Sequence, residues 1–142
     1  MDLFSETIEG IKSLKIQGAE NIAVAAVKAF AEKLKETLAA ALPPDKEEAA
    51  LKAAIAELSG LRETEPALRN ALRFCFLNYK NDAKITDAAV NYFKTSKERI
   101  AEIGANKIKN GMTVFTHCHA GTVTGILLKA WAEGKRFIVR NT

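Results

Sequence analysis

Cysteine is nearly missing from this chain. Cys75 and Cys118 are the only two in 142 residues, too few for a disulfide framework and suited to a reducing cytosol. Long apolar runs are missing as well, which excludes a membrane span. The start, Met1-Asp2-Leu3-Phe4-Ser5-Glu6, lacks the basic opening of a signal peptide. No sign of charge dominates: 21 Lys and Arg stand against 17 Asp and Glu, a net charge of +4. Both signs are interspersed, whereas a nucleic-acid footprint clusters its cations on one face. Internal repeats and low-complexity tracts are also lacking. These absences describe a cytoplasmic protein with no membrane partner and no direct nucleic-acid partner.

What remains is a chain of one domain's length, long enough to bury a core. Apolar residues make up 48%, and many are alanine, which favours close-packed helices over a large-residue sheet. Five helices are expected in residues 1–110. In the first, Phe4, Ile8, Ile11 and Leu14 recur at helical spacing, with Asp2 or Ser5 as cap and Gly18 as stop. Ile22, Ala23, Ala26, Val27, Phe30, Leu34, Leu38 and Ala41 stripe a longer second helix, which Pro43-Pro44 ends. A capping-box pattern, Asp45 with Glu48, opens the third helix, and Gly60 closes it. Pro66 suits the first turn of the fourth, whose stripe is Leu68, Ala71, Leu72, Cys75, Phe76 and Tyr79. Thr86 or Asp87 caps the fifth, with Val90, Phe93, Ile100, Ile103 and Ile108 inward.

The period changes after Asn110-Gly111, a strong turn signal. Residues 112–115 read as a strand, 122–133 as a helix stopped by Gly134, and 136–140 as a second strand. That is one βαβ unit with parallel strands. The fold expected is therefore mostly α: a helical domain (1–110) followed by the opening of a parallel α/β sheet (111–142). Phe137, Ile138 and Val139 form the consecutive apolar run of a strand covered on both faces. Two strands do not complete such a sheet. Either the chain is a truncated product or another chain completes it, so an oligomer or a complementing partner is expected.

Chemistry concentrates in Thr116-His117-Cys118-His119-Ala120-Gly121-Thr122. Neighbouring His117 and His119 point one way in extended backbone and the Cys118 thiol the other, so the three cannot meet on one metal ion. With no second Cys/His cluster, no metal site is expected. A protease-like Cys–His pair needs a histidine brought from elsewhere in the fold, and both histidines here are neighbours. Ala120-Gly121-Thr122 instead opens a helix whose first amides, at Thr122, Val123 and Thr124, can hold an anion such as phosphate. A plainer reading makes Cys118 a small residue at a strand end, and the pattern alone leaves both readings open. Cys75, within an apolar stripe, reads as core.

The motif from Thr116 to Thr124, with Leu127-Leu128-Lys129-Ala130-Trp131 after it, resembles one family. It unites archaeal ribose-1,5-bisphosphate isomerases, methylthioribose-1-phosphate isomerases and the alpha, beta and delta subunits of initiation factor 2B. Gln17-Gly18-Ala19 is similar to that family's Arg-Gly-Ala motif. Arg62-Glu63-Thr64 resembles its Arg-Pro-Thr motif, with Asn70-Ala71-Leu72-Arg73 in the helix that follows. Ile103-Gly104-Ala105 and Asn110-Gly111 match the approach to the first strand. The Cys-His-Ala-Gly stretch followed by Lys129-Ala130-Trp131 looks most like the archaeal isomerases.

The resemblance implies a helical domain followed by a Rossmann-like domain, assembled as dimers or hexamers. It implies that a phosphorylated ribose ring is opened and hydrogen moved from C2 to C1, giving ribulose 1,5-bisphosphate. No cofactor is implied. Carried over, Cys118 is the catalytic thiol, while Gln17, Gly18, Ala19, Arg62, Ala120, Gly121 and Thr122 hold the phosphorylated sugar or nucleotide. Gln17 replaces an Arg suited to bidentate phosphate binding, and Glu63 replaces a Pro beside Arg62. The family's partner Asp lies beyond the region matched, so this chain by itself is expected to be inactive. The alternative is a non-catalytic regulatory or assembly subunit resembling initiation factor 2B.

Overall fold

Helical periodicity governs most of the chain, and among the described residues the structure realises it as six helices and two short strands. The computed structural model describes residues 2–118 and 120–142. In order it contains α1 (Leu3–Lys12), α2 (Ala19–Ala39), α3 (Pro44–Gly60), α4 (Pro66–Asn78), α5 (Ile85–Ala105), β1 (Thr113–Thr116), α6 (Gly121–Ala132) and β2 (Ile138–Asn141). Two compact units divide the chain, Met1–Asn91 and Tyr92–Thr142, with the division inside α5. The change of hydrophobic period at Gly111 falls later, where helices give way to the βαβ unit.

In the first unit α2 packs against α1, α3 and α4. Its stripe brings Ile22, Val27 and Phe30 fully inside, to join Ile11 of α1, Leu51 and Leu58 of α3, and Leu68, Leu72 and Cys75 of α4. Alanines 23, 26 and 29 are buried too; their small side chains let neighbouring helices approach closely. One long-range hydrogen bond ties α3 to the end of α4: the Tyr79 hydroxyl donates to Glu47 Oε1 at 2.9 Å. Burial and the Glu47 carboxylate push the Tyr79 phenol up to about 12. A phenol raised above its unfolded value of ~10 contributes stability that is complete below that value and is lost as pH rises toward 12. Tyr79→Phe is thus expected to cost about 1 kcal/mol at neutral pH. In urea melts at stepped pH, its gap from the parent should shrink between pH 10 and pH 12; a gap that widens there would contradict the assignment.

In the second unit β1 and β2 pair in parallel, Thr113 opposite Ile138 and Thr116 opposite Asn141. The Asn110-Gly111 turn is stitched to the second strand's approach: Arg136 N–H donates to Asn110 Oδ1 at 2.7 Å and Gly111 N–H to the Arg136 carbonyl at 2.8 Å. A small core of Ala105, Ile108 and Ala130 is walled by Val114, Ile126, Leu127 and Phe137. Gly104 lets α5 meet α6, because a Cβ there would lie 2.6 Å from Ile126 Cδ1 and Cγ1. Ile126 is β-branched and stiff at χ1, so it cannot simply swing away. Gly104→Ala is expected to destabilise this unit by about 1–3 kcal/mol. Trimming the neighbour in a Gly104→Ala/Ile126→Ala double variant should recover part of the loss in thermal melts, and strictly additive losses would rule out the contact.

The expected boundaries need several corrections. α1 stops at Lys12 because Leu14 turns left-handed, φ 61°, and the Ile16 amide folds back to the Gly10 carbonyl at 2.9 Å. The stripe of α2 ends at Leu34: Leu38 is exposed, Ala41 is left-handed, and Thr37 is buried with its hydroxyl bonded to the Lys33 carbonyl. No capping box opens α3; Pro43 is its cap and Pro44, already fixed near helical φ, begins the helix two positions early. α5 starts at Ile85, ahead of Thr86 and Asp87, after a turn held by Lys84 N–H donating to Asp82 Oδ1. Ile100 and Ile103 are exposed rather than inward. Small residues face α6 instead: Gly104 lies against Ile126, and Ala101 Cβ is 3.8 Å from where a Gly125 Cβ would be. Ile108 is buried as expected, but beyond the end of the helix.

Candidate functional site

Strand β1 ends at Thr116 and α6 begins at Gly121, so the Cys118 turn is held between two fixed elements. Cys118 has φ 61°, a left-handed conformation that costs a residue with a Cβ about 1–2 kcal/mol. Its N–H donates to the Thr142 carbonyl at 3.4 Å, and His117 Nδ1 lies 2.7 Å from Thr142 Oγ1. Cys118 is exposed and is one of the residues bordering a cleft of about 230 Å³. Polar Thr116, Cys118 and Asn141 line it together with apolar Val123, Leu127 and Val139 and the start of α6. A polar rim over an apolar lining at the carboxyl ends of parallel strands is where open α/β sheets place ligands.

Helix α6 opens one residue earlier than expected, with Ala120 as its cap and no side-chain capping bond. Thr124 N–H is used inside the helix, bonded to the Ala120 carbonyl at 3.0 Å. The anion-facing amides are therefore those of residues 121–123 rather than 122–124. Gly121 keeps this turn open to approach. Lys97 Nζ, on the final turns of α5, comes within 3.8 Å of where a Gly121 Cβ would stand, bringing a cation to the helix start. Nothing local in the sequence links Lys97 to Gly121, so only the packing of α5 against α6 exposes the pairing.

The remaining carried-over residues lie in the first unit. Gly18, φ 85°, caps α2 without a side-chain bond, and Ala19 begins that helix. Gln17 is exposed, and its side-chain amide donates to the Leu14 carbonyl at 2.6 Å. Arg62 is half-buried in the turn before α4, its carbonyl accepting from Glu65 N–H at 3.0 Å. Thus Cys118, Ala120, Gly121 and Thr122 gather in one unit, and Gln17, Gly18, Ala19 and Arg62 belong to the other. His119 lies outside the described residues. Among the described residues no group of three His, Cys, Asp or Glu side chains could hold a metal ion. Cys75 is fully buried, and desolvation pushes its thiol up to about 11, which leaves it inert.

The model of the Initiation factor 2 subunit family matches residues 15–142. The chain belongs to that family. Ribose 1,5-bisphosphate isomerase of Methanocaldococcus jannaschii is 34% identical, over 95% of this chain and 45% of its own length. The protein of the same name from Archaeoglobus fulgidus is 30% identical, over 96% of this chain and 44% of its own. Among solved structures, translation initiation factor eIF-2B of Pyrococcus horikoshii OT3 superposes with a TM-score of 0.76 at 26% identity, covering 99% of this chain and 50% of that one. The chain spans about half the length of the relatives it matches. The family likeness expected from the Cys118 motif is therefore sound, and the fold is the helical part and first βαβ unit of these longer proteins. No helix among the described residues is long and apolar enough to cross a membrane.

Proposed function

We propose that this chain is the N-terminal part of a sugar-phosphate aldose–ketose isomerase acting on ribose 1,5-bisphosphate. The observation that carries this reading is Cys118. An exposed thiol in a left-handed turn, lining the cleft where α6 begins, has no packing role that would repay the strain. The amides of residues 121–123 offer a seat for a phosphate group. The family likeness also assigns Gly18, Ala19 and Arg62, in the first unit, to binding a phosphorylated ligand.

The chemistry explains why a proton carrier is needed. Hydrogen leaves C2 for C1, the ring oxygen gains a proton as its bond to C1 breaks, and the C2 hydroxyl loses one as it becomes a ketone. Such a reaction requires an acid and a base. Cys118 takes one role and an Asp beyond the matched motifs takes the other, so the chain alone is proposed to be inactive. Incubation with ribose 1,5-bisphosphate, alone and with a chain supplying the remaining half, tests this through phosphorus NMR of ribulose 1,5-bisphosphate. Product formed only in the complemented sample supports both statements. Binding without turnover in either sample would overturn the enzymatic reading.

That second outcome has its own support. Gln17 supplies no charge for a phosphate and spends its amide on the Leu14 carbonyl, which suits a regulatory or assembly subunit resembling initiation factor 2B. Both readings share a cytoplasmic setting, a phosphorylated sugar or nucleotide as ligand, and assembly with a second copy or a complementing chain. Assembly is supported by β2, whose Ile138 and Val139 are 58% and 43% exposed although their run suits a strand covered on both faces.

A further inference from the structure

The turn that carries Cys118 is not held by its own residues alone. Asn141, at the end of β2, reaches across to the end of β1. Its side-chain amide faces the Thr116 carbonyl at 3.3 Å, the Thr116 hydroxyl at 2.9 Å and the Cys118 carbonyl at 3.2 Å. Two of these groups can only accept, so the end of the amide turned toward them is the NH2, which donates. The strand pairing places it there: Asn141 is the register partner of Thr116. Asn141 and Cys118 also line the same cleft.

We infer that Asn141 is a positioning residue that fixes the Cys118 carbonyl and thereby keeps the thiol facing the cleft beside the start of α6. This rests on the reading of Cys118 as the working thiol. A non-glycine residue relaxes out of the left-handed region unless its surroundings determine it. The Asn141 bond to the Cys118 carbonyl and the Cys118 N–H bond to Thr142 grip the two sides of that residue. With the Asn141 bond gone, residue 118 is free to take extended backbone, which turns its side chain toward the opposite face of the chain. Aspartate could not replace asparagine here, because a carboxylate would set a third acceptor against two carbonyls. The sequence gives no sign of this role, since Asn141 and Cys118 meet only through parallel pairing.

A pair of alkylating reagents of similar size and opposite demand tests the inference on the 142-residue chain. Iodoacetate is an anion and iodoacetamide is neutral, so their rate ratio at Cys118 reports how closely the thiol faces the amides of α6. Peptide mass mapping separates Cys118 from the buried Cys75, and amide exchange across residues 121–132 reports whether the unit keeps its fold. In Asn141→Leu, similar in shape but without a donor, the iodoacetate-to-iodoacetamide ratio should fall by about threefold, the scale of a helix-terminus interaction. Asn141→Ser, too short to reach the Cys118 carbonyl, should show the same fall if the leucine variant loses α6 protection. An unchanged ratio in a variant with α6 still protected would overturn the inference. Because the readout needs no turnover, it stays distinct from a failure of the isomerase reading, which would leave the ratio intact.

Discussion

Cys118→Ser is expected to lower turnover of ribose 1,5-bisphosphate by ~10²–10⁴-fold in the complemented protein, with a much smaller change in KM. Serine has nearly the shape of cysteine, so the left-handed turn and its bonds to Asn141 and Thr142 survive. What changes is the proton chemistry, because a hydroxyl does not exchange a proton near neutral pH as a thiol does. Phosphate affinity should hold, since the amides of residues 121–123 and the cation of Lys97 are untouched. Initial rates from product NMR, with KM fitted separately, give the decisive comparison. Turnover within tenfold of the parent would remove Cys118 from the reaction. Loss confined to KM would make it a binding residue only.

The largest expected effect on stability is Phe30→Ala. Phe30 has no exposed surface and sits on α2, the helix against which α1, α3 and α4 all pack. Removing a buried ring costs about 3–5 kcal/mol, a large part of the ~5–15 kcal/mol that holds an ordinary domain folded. Urea melts of the first unit should show a lowered midpoint with an unchanged slope. Leu77→Ala is the control, because Leu77 on α4 is 62% exposed and exposed substitutions usually stay within about 0.5 kcal/mol. Equal losses from the two variants would contradict α2 as the centre of the unit.

How legible these features were depended on the range of the interaction behind them. The stripe of α2 as far as Leu34, most of that of α4, Pro66 at a helix start and the βαβ order after Gly111 all follow from local signals, and the structure repeats them. The failures arose where a local rule met a stronger constraint. Asp45 loses its capping role to the fixed φ of Pro44, and the stripe of α1 breaks where Leu14 turns left-handed. In α5 the isoleucines look like the buried face, yet the contact with α6 is made by Ala101 and Gly104, because close helix approach selects small residues. The site divides in the same way. Cys118 and the start of α6 can be read from adjacent residues, whereas Lys97 and Asn141 reach them through tertiary packing and strand register.

One residue carries two opposed demands. At φ 61° the backbone of position 118 is built for glycine, while the chemistry proposed there needs a sulfur atom. Stability and activity therefore pull this position in opposite directions, and selection for heat resistance alone would favour losing the thiol. A chain released from catalysis, kept only as an assembly subunit, would have no reason to bear that cost. On the proposed reading, the residue at 118 would thus be what separates the two functions weighed for this chain.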